Sequence, residues 1–137
     1  MTTDVSCEIV PVDQRINHTA MLFGDHFPMQ LEPYIFSVAS ELSPDYRGGY
    51  WEFVELGNSG FYMAPHGDEP FAVSCPNGYE GELSADAFGI TVCLYAYSRL
   101  SFFAESRIAD VYARHYHLLR EFMMAHAEVG AILAAID

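Results

Sequence analysis

The sequence contains no lysine. Six arginines are its only strong bases against 19 Asp and Glu, so the formal charge is −13 over 137 residues. Duplex phosphates would be repelled by such a chain, so direct nucleic-acid binding is not expected. Long hydrophobic runs are missing too: no stretch approaches the roughly 18 unbroken apolar residues of a membrane span. The start, Met1-Thr2-Thr3-Asp4-Val5-Ser6-Cys7-Glu8, has neither the basic region nor the apolar core of an export signal, and a cytoplasmic location is expected. Cysteine is scarce: Cys7, Cys75 and Cys93 are odd in number and widely spaced, as in reduced thiols of a cytoplasmic protein.

Apolar side chains are plentiful. At 51% apolar and 15% aromatic, the acidity does not describe a disordered tail, and the length fits one domain over residues 1–137. The charge is uneven: residues 1–40 carry net −4, residues 41–86 net −8, and residues 87–137 net −1. The centre of the chain is the electrostatic feature.

Hydrophobic spacing predicts an α+β domain. Residues 13–23 read as a short helix stopped at Gly24. Pro28 and Pro33 bracket the start of a second helix, whose stripe is Tyr34, Ile35, Val38, Ala39 and Leu42, and Ser43-Pro44 ends it. Two strands, Tyr50 to Leu56 and Phe61 to Ala64, flank the turn Gly57-Asn58-Ser59-Gly60. Phe71 to Cys75 is read as the third strand of a small antiparallel sheet. Ser84 is an N-cap and Asp86 a first-turn acid of a helix from Ala85 to Phe103, apolar nearly all round and therefore buried. A second long helix carries the stripe Ile108, Val111, Tyr112, His115, Leu118, Leu119, Phe122 and Met123, and an apolar tail from Glu128 to Ile136 follows, with a kink expected at Gly130. The expected order is thus N-terminal helices, a three-stranded sheet, and two long C-terminal helices.

Local chemistry is sparse. His115 and His117, two apart on a helix, point about 200° from each other and cannot share a metal from one face. The loop His66-Gly67-Asp68-Glu69 does not assemble four ligands alone, and no metal or other cofactor is expected. No Gly-x-Ser-x-Gly elbow occurs, and Gly48-Gly49 precedes a strand instead of opening a helix, so it is no anion cradle. A Cys75 and His66 pair keeps a small cytoplasmic hydrolase open as an alternative, and a generic acidic adaptor is another. Whole-body imitation of DNA fails on density. Thirteen charges over about 7,000 Å² give one per roughly 550 Å², whereas duplex DNA carries about one per 100 Å². An acidic face that steers the protein to a basic partner remains.

Several segments resemble the ArdB/KlcA antirestriction proteins of plasmids and other mobile elements. They are Leu22-Phe23-Gly24-Asp25-His26-Phe27, Asp45-Tyr46-Arg47-Gly48-Gly49-Tyr50-Trp51-Glu52-Phe53, Gly60-Phe61-Tyr62-Met63-Ala64-Pro65, Ser84-Ala85-Asp86-Ala87-Phe88-Gly89-Ile90, and the tail from His115 to Asp137. They lie in order over nearly the whole chain. The resemblance implies a small α+β domain that inhibits type I restriction endonucleases, sparing modification while blocking cleavage. It implies no catalytic residue, so the protein is not expected to be an enzyme. The implied partner is the type I restriction-modification complex, met directly or indirectly, and a monomer is the expected form.

Strand alternation then offers a contact surface. Trp51, Phe53, Phe61 and Met63 are expected to pack the sheet on the helix from Ala85. Tyr50, Tyr62, Glu52 and Glu55 are expected on the outer face, with Asp68 and Glu69 beside them, suited to an Arg-rich partner. Asp137 adds a second negative charge to the C-terminal end of a helix, an unfavourable position that a basic pocket would relieve.

Overall fold

The computed structural model describes residues 4–137. Met1 to Thr3 of the start read above for an export signal lie outside the described residues. Strands β1 (Cys7–Ile9), β2 (Trp51–Leu56) and β3 (Phe61–Pro65) form an antiparallel sheet in the order β1-β2-β3. A 3-10 turn (Val12–Gln14) leads into helix α1 (Arg15–Phe23), and a π-helical turn (Phe27–Leu31) leads into α2 (Glu32–Leu42). Strands β4 (Phe71–Ser74) and β5 (Glu80–Leu83) make a separate hairpin, and α3 (Ala85–Phe103), α4 (Ser106–Met123) and α5 (Val129–Ile136) complete the chain.

The third strand of the sheet is therefore Cys7–Ile9, not Phe71 to Cys75. The latter segment forms β4 but pairs with β5, in the register Phe71↔Leu83 to Ser74↔Glu80. The turn between them favours this local partner: Gly78 has φ +94°, and the Asn77 side-chain oxygen accepts the Tyr79 N–H at 2.9 Å. The stacking of Phe71 on Phe88, 4.4 Å between ring centres, ties the hairpin to α3.

Helix α3 has the expected bounds and lies at the centre of the core. The Ser84 hydroxyl accepts the Ala87 N–H at 3.1 Å as its cap, and twelve of its 19 residues are buried. It covers the open edge of β3 more than a face of the sheet. Cys93 Sγ lies 3.5 Å from both the Met63 N–H and the Met63 carbonyl, and the Tyr97 hydroxyl donates to the Phe61 carbonyl at 2.7 Å. An edge covered in this way offers no template for another strand. Gly89 permits the approach, because a Cβ there would stand 2.5 Å from Ala64 Cα and from the Met63 carbonyl oxygen.

The inner face of the sheet packs on the N-terminal helices, which corrects the expected packing of Trp51 and Phe53. Trp51 meets Phe36 of α2, while Phe53 meets Phe27 and the Arg15 guanidinium, 4.1 Å from its ring centre. Phe61 meets Phe23 and Phe27. The expected stripe of α4 buries Ile108, Tyr112, His115, Leu119 and Met123, with Val111, Leu118 and Phe122 half-buried. The apolar tail forms α5 without the expected kink at Gly130, which sits in the first turn of that helix, after the loop that ends α4.

Gly48 and Gly49 have φ +88° and +112°, and a Cβ at either would meet nothing within 4 Å. Their requirement is backbone angle, not room.

Candidate functional site

Register decides which side chains share the outer face. The pairs Glu52↔Ala64, Val54↔Tyr62 and Ile9↔Val54 put Glu52, Val54, Tyr62, Ala64 and Ile9 on one side of the pleat. Glu55 pairs with Phe61 and Glu8, so it lies on the opposite side from Glu52; the expectation that both share the outer face is corrected by their odd spacing along one strand. Glu55 instead faces α1, 3.5 Å from His18 Nδ1.

The outer face forms the floor of a groove of about 570 Å³. Its walls are β1, the turn from Pro65 to Asp68, the start of α3 at Ala85 and Asp86, and Phe122 of α4. Tyr62 was expected as an exposed phenol. It is only 2% exposed, with its ring stacked on Phe122 at 5.7 Å and its hydroxyl donating to Asp86 Oδ1 at 2.6 Å. Burial, reinforced by that bond to a carboxylate, holds its phenol pKa far above the ordinary value.

Asp86 joins three parts of the chain. Its second oxygen lies 2.8 Å from His126 Nε2, and the Glu128 N–H donates to His126 Nδ1 at 3.0 Å. Nδ1 is thus the acceptor and Nε2 carries the hydrogen that Asp86 receives, so a neutral ring satisfies both bonds. The Glu128 carboxylate in turn accepts the Ser84 N–H at 3.0 Å and the Ser84 hydroxyl. Tyr62, Asp86, His126, Glu128 and Ser84 thereby lock β3 to the start of α3 and to the loop before α5. Sequence reasoning found Ser84 and Asp86 as helix-start residues but missed His126, which lies 40 positions from Asp86 and has no local signal.

At the other end of the groove, Glu52 Oε1 lies 2.8 Å from His66 Nδ1. Tyr50 is half-exposed outside the groove. It accepts a hydrogen bond from Arg15 at 2.7 Å, and its ring faces that of His66 at 5.9 Å. Glu52 and Asp68 line the groove, and Glu69 is exposed on the turn next to Asp68. Asp137 does not join them: it is exposed at the end of α5, its N–H bonded to the Leu133 carbonyl at 3.0 Å. The structure therefore brings together Glu52, Tyr62 and Asp68, adds Asp86, and separates Glu55 and Asp137 from them.

The thiols are poor nucleophiles. Burial raises the pKa of Cys7, with Asp86 adding to it; burial also raises that of Cys75, and it pushes Cys93 up to about 12. All three are protonated at neutral pH, whereas the thiolate is the reactive form. His66 is held by Glu52, while the Cys75 backbone N–H bonds Tyr79. Among the described residues no group of three His, Cys, Asp or Glu converges as a metal site, and no helix is long and apolar enough to cross a membrane.

A family model described as "Antirestriction protein" matches residues 44–137. Antirestriction protein KlcA of Escherichia coli is 36% identical over 135 residues, covering 97% of this chain and 95% of its own. The protein YafX of Escherichia coli strain K12, named as uncharacterized, is 41% identical over 133 residues, covering 93% and 85%. A solved structure described as showing a novel fold for KlcA and ArdB, with antirestriction activity against type I DNA restriction systems in vivo but not in vitro, matches with TM-score 0.90. It is 36% identical, and the match covers 100% of both chains.

Proposed function

The chain belongs to the antirestriction protein family, and from that membership we propose that it lets incoming mobile-element DNA escape type I restriction endonucleases by docking on the restriction machinery, without catalysis. The observation that carries this reading is the likeness in sequence and fold, over the full chain, to a structure described with that activity. The site chemistry supports the absence of catalysis. Its phenol, its imidazole and the Asp86 carboxylate are committed to one another as structural bonds, and the thiols are held protonated. The charge of −13 supports a protein partner over DNA. The contact surface in this reading is the acidic groove and its lip, with Glu52 and Asp68 in the groove, Glu69 on the lip and Tyr50 beside them. The place of action is the cytoplasm, where incoming DNA meets the restriction complex, and a monomer suffices.

Plating of unmodified phage tests the function. Expression of the protein in a type I restricting host is expected to raise plating efficiency toward that of a non-restricting host. Equal efficiency with and without the protein overturns the reading. The assay belongs in cells, because the solved relative is described as active in vivo but not in vitro.

A further inference from the structure

The geometry points to an arginine side chain, carried on an extended segment of the partner protein, as the occupant of the groove; this rests on the docking function proposed above. Two features of the groove make the case together. Its floor is apolar, formed by Ile9, Val54, Ala64 and the Tyr62 ring, and its border carries the carboxylates of Glu52, Asp68 and Asp86. No arginine lines it, and the nearby Arg15 is turned to the inner face, over Phe53. Glu8 also lines the groove, but its register with Glu55 directs its side chain to the other face.

An occupant must therefore be apolar along its stem and cationic at its end. An anion such as a phosphate meets like charge. A wholly apolar side chain would draw the carboxylates out of water with no partner. Lysine matches the charge, but its ammonium is compact and strongly hydrated. The planar guanidinium is less hydrated, lays its stem along apolar surface and donates in a fork to carboxylates. Acceptors remain for it: Glu52 uses only Oε1 on His66, and Asp68 is in no ion pair among the described residues.

The volume, about 570 Å³, falls within the ~300–1,000 Å³ range of ligand-binding clefts. The main chain of an extended segment has a place at its margin. Strand β1 is the outermost of the sheet, with all three residues exposed, and among the described residues no strand pairs with its open edge. The bonds from Val10 N–H to the Phe53 carbonyl and from Gly57 N–H to the Ser6 carbonyl direct the even-numbered residues at β2. The N–H and C=O groups of Cys7 and Ile9 consequently face outward, as strand addition requires.

The test titrates the full-length protein with a capped heptapeptide, Gly-Ser-Val-Arg-Val-Ser-Gly, followed by amide NMR shifts. A twin in which citrulline replaces arginine keeps the shape and removes the charge. Saturable shifts are expected at Ile9, Val54, Ala64 and Asp68 with the arginine peptide. Binding is expected to weaken about tenfold for the citrulline twin and for the protein variant E52Q/D68N. D68N alone, at an exposed site, gives a smaller loss in the same direction and guards against misfolding of the double variant. No binding, shifts on another face, or equal affinity for both peptides or for all three proteins overturns the proposal. Plating separates the two ideas: protection by wild type and by E52Q/D68N alike removes the groove's arginine but leaves the docking function, whereas no protection by wild type removes the docking function itself.

Discussion

Gly89→Ala is expected to lower the unfolding free energy by about 2–3 kcal/mol, although Ala is the better helix former by about 1 kcal/mol. Propensity and packing point in opposite directions here, and magnitude decides. Gly89 is buried in α3, and the added Cβ would stand 2.5 Å from Ala64 Cα and from the Met63 carbonyl oxygen, with Ala64 Cβ equally crowded. These neighbours are backbone or short side chain, so no rotamer change relieves the overlap. The helix must back away from the edge of β3, which stretches the Cys93 contacts to Met63 and the Tyr97 bond to Phe61. For a domain of this size the loss corresponds to a melting temperature about 10 °C lower. Thermal and urea unfolding of wild type and G89A check it. An unchanged or raised midpoint would mean that α3 and β3 stand farther apart than described.

Acidification supplies the second large effect. His115 is 4% exposed, its ring 4.6 Å from that of Phe23, and its Nδ1 is buried with no hydrogen-bond partner. Burial first, then the positive charges of Arg114 and of nearby His18, lower its pKa from 6.5 to about 4. Above pH 6.5 the ring is neutral in both folded and unfolded chains and adds no slope. Between pH 6.5 and about 4 the unfolded chain binds a proton that the folded chain refuses, so stability falls on acidification by about 1.4 kcal/mol per pH unit. The total is about 3 kcal/mol, and below pH 4 this group adds nothing further. His115→Leu removes the titrating ring and is expected to flatten the curve over that window by the same amount. Denaturant unfolding at pH 7 and pH 4.5 measures the difference, and parallel curves for the two proteins would refute it.

Much of this fold is legible from spacing alone, and the failures share a cause. Helix α3 combines a side-chain cap at Ser84, an acid in its first turn and a long apolar run, three independent signals for one element. The hairpin of β2 and β3 is equally plain, because aromatic and branched residues flank a Gly/Asn turn. Strand β1 is not: three exposed residues give no alternation to read, and what makes them a strand is pairing with residues 45 to 49 positions away. Once β1 is missed, β4 is the obvious third strand, yet the Asn77-Gly78 turn delivers β5 to it first.

The candidate site divides the same way. Glu52, Tyr62 and Asp68 are reachable by alternation and loop position. Glu55 fails a parity argument available in the sequence, since residues 52 and 55 cannot share a face of one regular strand. Asp86 and His126 meet only because α3 and the loop before α5 fold onto one end of the sheet, which no local pattern encodes.

Site-specific photocrosslinking in cells that are actively restricting DNA shows what the groove touches. One photoreactive residue is placed at Glu69 on the lip of the groove and another at Ile16, which is 83% exposed on α1. The Glu69 position is expected to capture a component of the restriction machinery in a restricting host and not in a host lacking that system, while the Ile16 position captures none. Capture through Ile16 alone, or the same adducts at Glu69 in both hosts, would contradict it.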